Sequence, residues 1–127
     1  VDIEKLASIV IDCGFHLHKN LGPGLLESVY EAIMADQLTR RGLHVQRQAA
    51  IPIKYDDIEL PEGFRADLLI EGVLLVELKS VERLSPLHGK QVLTYLRLLA
   101  LPLGLLINFG GETFKEGVKR IVNNHRN

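Results

Sequence analysis

Over the first twenty residues the apolar positions Leu6, Ile9, Val10, Cys13 and Leu17 fall on one helical stripe, which predicts a helix from residue 3 to about 20 packed against a core. Asn20-Leu21-Gly22-Pro23-Gly24 breaks it. A second helix is expected from about Leu25 to Arg41, stopped by Gly42, with Leu26, Val29, Ile33 and Leu38 as its apolar contacts. The period then changes. Leu43 to Gln48 and Ala50 to Tyr55 read as strands, Tyr55 to Glu59 as an acidic, solvated turn, and Leu60-Pro61-Glu62-Gly63 as a second break. Two apolar runs, Leu68 to Ile70 and Val73 to Val76, flank Glu71-Gly72 and predict a hairpin. Ser85-Pro86 is a helix start, with serine as cap and proline at the first helical position, and that helix is expected to reach about Ala100. Leu103 to Phe109 has strand length and no helical period, as a strand buried on both faces would; Gly110-Gly111 ends it. Gly117 to Val122 reads as a last edge strand, and Asn123 to Asn127 should fray.

Two helices, antiparallel strands, a helix and a further strand predict an α/β sandwich whose mixed central sheet is flanked by helices. Leu74, Val76, Leu78, Leu105 and Ile107 should then be buried. A length of 127 residues suits one domain with its own core. A single cysteine, Cys13, excludes an internal disulfide and a cysteine-built zinc site, and fits a reducing cytoplasm. With no basic leader and no apolar run of spanning length, the expectation is a soluble cytoplasmic protein without membrane association. Net charge is −1, so the field of the whole molecule would not drive tight nucleic-acid binding. Any such surface must be local, and Arg65, Arg83, Lys90 and Arg97 are the candidates.

The hairpin carries the candidate chemistry. Alternation along its second strand puts Glu77 and Lys79 on one face, with Leu74, Val76 and Leu78 on the other. Where Asp67 points depends on the turn. A two-residue loop pairs Asp67 with Val76 and sends it to the wrong side, whereas a three-residue loop, Ile70-Glu71-Gly72 with Gly72 left-handed, pairs it with Leu75 on the face of Glu77. Two carboxylates on neighbouring strands can hold a hard divalent cation, and a lysine beside them can serve the attacking water. Glu27, in the first turn of the second helix, complements the helix dipole or faces this site, and Tyr30 shares its helix face. His88, Gln91 and Tyr95 form one stripe on the third helix.

Asp67, nine residues, then Glu77-Leu78-Lys79 resembles the signature of the PD-(D/E)xK nuclease superfamily. Gly24-Leu25-Leu26-Glu27-Ser28-Val29-Tyr30 is similar to the motif of its GxxExxY proteins. Ala66 stands where the superfamily's name has proline, a position that supplies no ligand. The resemblance implies a restriction-endonuclease-like fold, with magnesium or manganese held by Asp67, Glu77 and the Leu78 carbonyl. It further implies Lys79 and Glu27 as catalytic residues, Gln91 and Tyr95, in a Q-x-x-x-Y element, lining a nucleic-acid groove, and Tyr30 as a further substrate contact; His88, one turn nearer the start of the third helix, is placed to reach a phosphate by its position alone. The implied activity is metal-dependent hydrolysis of phosphodiester bonds in DNA or RNA. A non-catalytic nucleic-acid or protein-binding module on the same fold is the alternative, and so small a chain is also expected to work as a homodimer or within a larger assembly.

Overall fold

The computed structural model describes residues 2–125. Helices α1 (Ile3–Leu21) and α2 (Glu27–Arg40) precede strands β1 (Val45–Tyr55), β2 (Ile58–Ile70) and β3 (Leu74–Lys79). Helix α3 (Pro86–Leu99), strand β4 (Leu103–Asn108), a short 3-10 turn at Lys115–Gly117 and strand β5 (Val118–Val122) follow. The five strands lie in the order β1-β2-β3-β4-β5. Only β3 and β4 run parallel, because α3 crosses over between them, and the other neighbours are antiparallel. This is the expected α/β sandwich with a mixed sheet.

Each face of the sheet has its own core. Leu74, Val76 and Leu78 of β3 join Leu105 and Ile107 of β4 against α1 and α2, and all five are at most 1% exposed. On the opposite face Leu75 and Leu106 pack with Val92 and Leu96 of α3. Each such side chain contributes about 1.5–3 kcal/mol on burial, which is why the continuous apolar runs become the two central strands.

Several local expectations need correction. The two strands foreseen from Leu43 to Tyr55 are one, β1, interrupted at Gln48, whose φ is 49°. Leu60 to Gly63 does not end a strand; it is a register irregularity within β2, opposite Ile51–Ile53. On α2, Leu26 lies outside the helix and is 74% exposed, and Val29 is also exposed. The buried stripe is instead Tyr30, Met34 and Leu38, because the loop Gly22–Leu26 turns the first residues outward. The carboxy-terminal segment is anchored: Asn123 bonds the carbonyls of Leu101 and Pro102, and His125 pairs with Glu4. The last part of the expected fraying, at 126–127, lies outside the described residues.

The hairpin turn has the odd number of residues that the chemistry requires, displaced by one. Ile70 pairs with Leu74, so the loop is Glu71-Gly72-Val73. Both Glu71 and Gly72 are left-handed, at φ 54° and 68°. Glu71 tolerates this because its N–H donates to the His44 carbonyl at 2.8 Å while its carboxylate accepts from the His44 N–H at 2.9 Å. The shift keeps Ile70 and Leu74 in the ladder, where both are fully buried.

Candidate active site

The β2–β3 ladder runs through Leu69↔Leu75 and Leu68↔Val76 and then stops. One further step in that register sets Asp67 beside Glu77, not beside Leu75 as a loop one residue earlier would have it. From there side chains take over from the backbone. The Leu78 N–H donates to Asp67 Oδ2 at 2.8 Å, and the Asp67 N–H points at Glu77 Oε1 at 3.4 Å. The strands are thus held apart where the two acids stand, which leaves room between them for a small ligand.

Asp67, Glu77 and Lys79 line one cavity of about 210 Å³ together with Glu27, Arg65, His88, Gln91, Val92 and Tyr95. The walls come from β2, β3, the start of α2 and one face of α3. A larger groove of about 870 Å³, beside Ile11, Phe15, Phe114 and Val118, is mostly apolar and brings together no such set of acids and lysine. Glu77 is only 7% exposed. Burial, then the hydrogen bond and negative charge of Asp67, push its carboxyl up to about 9, against the smaller opposing pull of the Asp67 N–H and Lys79. At neutral pH Glu77 therefore keeps its proton.

The end of β3 is rigid. The Phe109 N–H donates to the Lys79 carbonyl at 2.8 Å. Buried Asn108 brackets Val81, accepting from its N–H at 2.9 Å and donating to its carbonyl at 2.8 Å. Lys79 is partly buried and presents its ammonium from this fixed base.

Helix α3 contributes three polar groups. His88 Nδ1 accepts the Ser85 N–H at 3.1 Å, so in the neutral ring the proton sits on Nε2. Tyr95 stacks on Phe64, with ring centroids 3.7 Å apart, and burial followed by the charges of Glu77 and Asp67 pushes its phenol up. It remains a hydrogen-bond donor at neutral pH. Gln91 completes the stripe along this wall.

The residues of the Gly24 to Tyr30 motif divide. Glu27 is the first residue of α2 and lines the cavity. Gly24 has φ 100°, a conformation that side chains rarely adopt, and this lets the chain turn into α2. Tyr30, expected to touch substrate, is fully buried and stacks on Phe109 at 4.2 Å. Its hydroxyl donates to the Gly22 carbonyl at 2.6 Å and accepts the Leu25 N–H at 3.2 Å. It therefore shapes the loop that delivers Glu27 and stands behind the cavity. Ser80 ties the same loop to the end of β3 through the Leu25 carbonyl at 2.6 Å.

Of the four basic candidates, Arg65, Arg83 and Arg97 lie in three separate places. Arg65 lines the cavity but pairs with Glu62. Arg83 lines a separate hollow with Glu82, Glu112 and Glu116, and Arg97 lies beside the outer part of the β1–β2 hairpin. Two residues that sequence reasoning passed over are tied to Asp67 instead, Gln48 directly and Glu31 through Gln48. Glu31 is 6% exposed, and Gln48 bonds both Glu31 and Asp67. A carboxylate set among the apolar positions of α2 was the one signal for Glu31; nothing marked Gln48.

Among the described residues no three His, Cys, Asp or Glu side chains stand ready as a metal cage. The chemistry of the donors nevertheless fits a hard divalent cation, since two carboxyl groups stand side by side in one cavity and Glu77 keeps a proton that a cation would displace. No described helix is long and apolar enough to cross a membrane.

No curated protein and no solved structure matches the chain. A family profile matches residues 4–121, nearly the whole length and all the elements that build this cavity. With its five-stranded mixed sheet between helices and its paired acids beside Lys79, the chain belongs to the PD-(D/E)XK nuclease superfamily.

Proposed function

We propose that this protein is a metal-dependent nuclease that hydrolyses phosphodiester bonds of DNA or RNA, and that it belongs to the GxxExxY branch of its superfamily. The observation that carries the reading is the placement of a buried, proton-holding Glu77 next to Asp67, in one cavity with Lys79. Two carboxyl groups held side by side in a buried cavity are costly to the fold and useful to a site. Asp67 and Glu77 would hold magnesium or manganese, with the Leu78 carbonyl as the third donor implied by the family. Such a cation supplies positive charge to the phosphate and acidifies the attacking water.

The chain's own groups do the rest. Lys79 offers three N–H donors from a fixed strand end, enough to hold the water or a phosphate oxygen in line. Gln91, the Tyr95 hydroxyl and His88 Nε2 form a row of donors along α3 that suits the oxygens of a phosphodiester. Glu27 adds a carboxylate opposite them, able to bond water around the cation. Every side chain invoked comes from one chain, so the reading needs no second copy.

The motif fits the same reading. Its glycine permits the turn, its glutamate reaches the cavity, and its tyrosine braces the loop between them.

The test is a screen of labelled single- and double-stranded DNA and RNA with magnesium or manganese. Cleavage that chelation abolishes, and that Lys79→Met reduces by about a hundredfold or more, is the expected result. Cation binding without cleavage of any substrate would overturn the catalytic reading in favour of a binding module.

A further inference from the structure

Gln48 is an unusual strand residue. Its φ of 49° lies in the left-handed region, and it is missing from the ladder between Arg47↔Leu68 and Ala49↔Ala66. Backbone strain of this kind persists where surrounding contacts demand it. Here the contacts are made by the side-chain amide, whose Nε2 donates to Glu31 Oε1 at 2.5 Å and to Asp67 Oδ1 at 3.2 Å. Both partners are carboxylates, which accept and do not donate when ionised. The position therefore calls for a group with two N–H bonds on one atom, which a primary amide provides.

Glu31 is a firm anchor. It is nearly buried, and Arg47 donates to its Oε2 from Nε at 3.1 Å and from Nη2 at 3.0 Å, which leaves Oε1 for Gln48. It also lies four residues after Glu27, one turn along α2 on the same face. The other end of the bridge meets Asp67 on Oδ1, while Leu78 N–H holds Oδ2. Each oxygen of Asp67 thus has one fixed donor, which sets the plane of the carboxylate and leaves one lone pair on each oxygen.

We infer that Gln48, anchored on Glu31, is a positioning residue that fixes the Asp67 carboxylate for a divalent cation, an assignment that rests on the metal-site reading above. A tie between β1 and α2 alone would need only the bond to Glu31. The second N–H goes to Asp67, the residue opposite Gln48 in the register, whose other oxygen the Leu78 N–H holds.

Gln48→Met keeps the reach of the side chain and removes both N–H groups. Manganese titration calorimetry should show affinity about 10–100-fold weaker than wild type, the usual loss when a partner of a metal ligand is removed, together with a lower melting temperature, because buried Glu31 loses one of its donors. Arg47→Met is the control for lost stability: it should lower the melting temperature at least as far and weaken manganese affinity less than Gln48→Met does. In metal-free protein the Leu78 amide resonance should shift, and its hydrogen exchange quicken, more in Gln48→Met than in Arg47→Met. Wild-type manganese affinity in Gln48→Met, or an unmoved Leu78 amide, would overturn the inference. Wild type that binds no manganese would sink the metal-site reading and with it the cation part of the inference; the Leu78 amide would still judge whether Gln48 orients Asp67.

Discussion

Glu31 and Glu77 are hidden from water to the same degree, 6% and 7% exposed, yet they meet opposite surroundings. Glu31 faces a guanidinium that donates twice and an amide that donates once. Glu77 faces another carboxylate, with Lys79 as a weaker influence, and keeps a proton up to about 9. A buried acid can be compensated where it stands, as Glu31 is. One left beside a like charge stores an unfavourable interaction that a ligand can relieve. Burial by itself does not distinguish the two, and the partner does.

The largest break in this comparison comes from converting each acid to its amide. Glu77→Gln should lower cleavage about a thousandfold, by loss of a cation ligand, while thermal melting stays at or above wild type, since an amide replaces a carboxyl already protonated. Glu31→Gln should instead cost about 1–2 kcal/mol of stability, modest for a buried pair because Arg47 is half exposed. A Glu77→Gln variant that melts well below wild type would erase the distinction.

The pH dependence sharpens it. Between the ordinary glutamate value of 4.5 and about 9, folded Glu77 binds a proton that the unfolded chain has released. Its contribution to stability is full below the lower value and is lost as pH rises towards the upper one. The melting temperature of metal-free wild type should therefore decline across that window relative to Glu77→Gln, and manganese affinity should rise over the same range as the competing proton leaves. Parallel melting curves for the two proteins would mean that Glu77 titrates as an ordinary surface acid.

The smallest expected effect belongs to the residue that changed roles. Tyr30→Phe keeps the stack on Phe109 and removes the hydroxyl that joins Gly22 to Leu25. It should cost about 1 kcal/mol of stability and reduce activity only slightly, through a looser start to α2 at Glu27. Loss of activity as deep as that of Lys79→Met, with unchanged melting, would contradict its place behind the cavity.

What the sequence by itself determined is whatever a local period can specify. The apolar runs of β3 and β4, the Ser85-Pro86 start of α3 and the alternation that puts Glu77 with Lys79 are all written within a few residues of one another. The resemblance of the Asp67 to Lys79 stretch added the reason to look there. Tertiary structure alone decided the rest, because it depends on which distant groups meet. The hairpin loop moved by one residue since burying Ile70 and Leu74 together outweighs keeping Ile70 in the turn. Tyr30 went inward because Phe109, seventy-nine positions later, offers a ring to stack on. Gln48 carries no periodic signal, being a polar residue on an edge strand. Its bridge between Glu31 and Asp67 exists only once α2, β1 and β2 have packed and brought two carboxylates within reach of one amide.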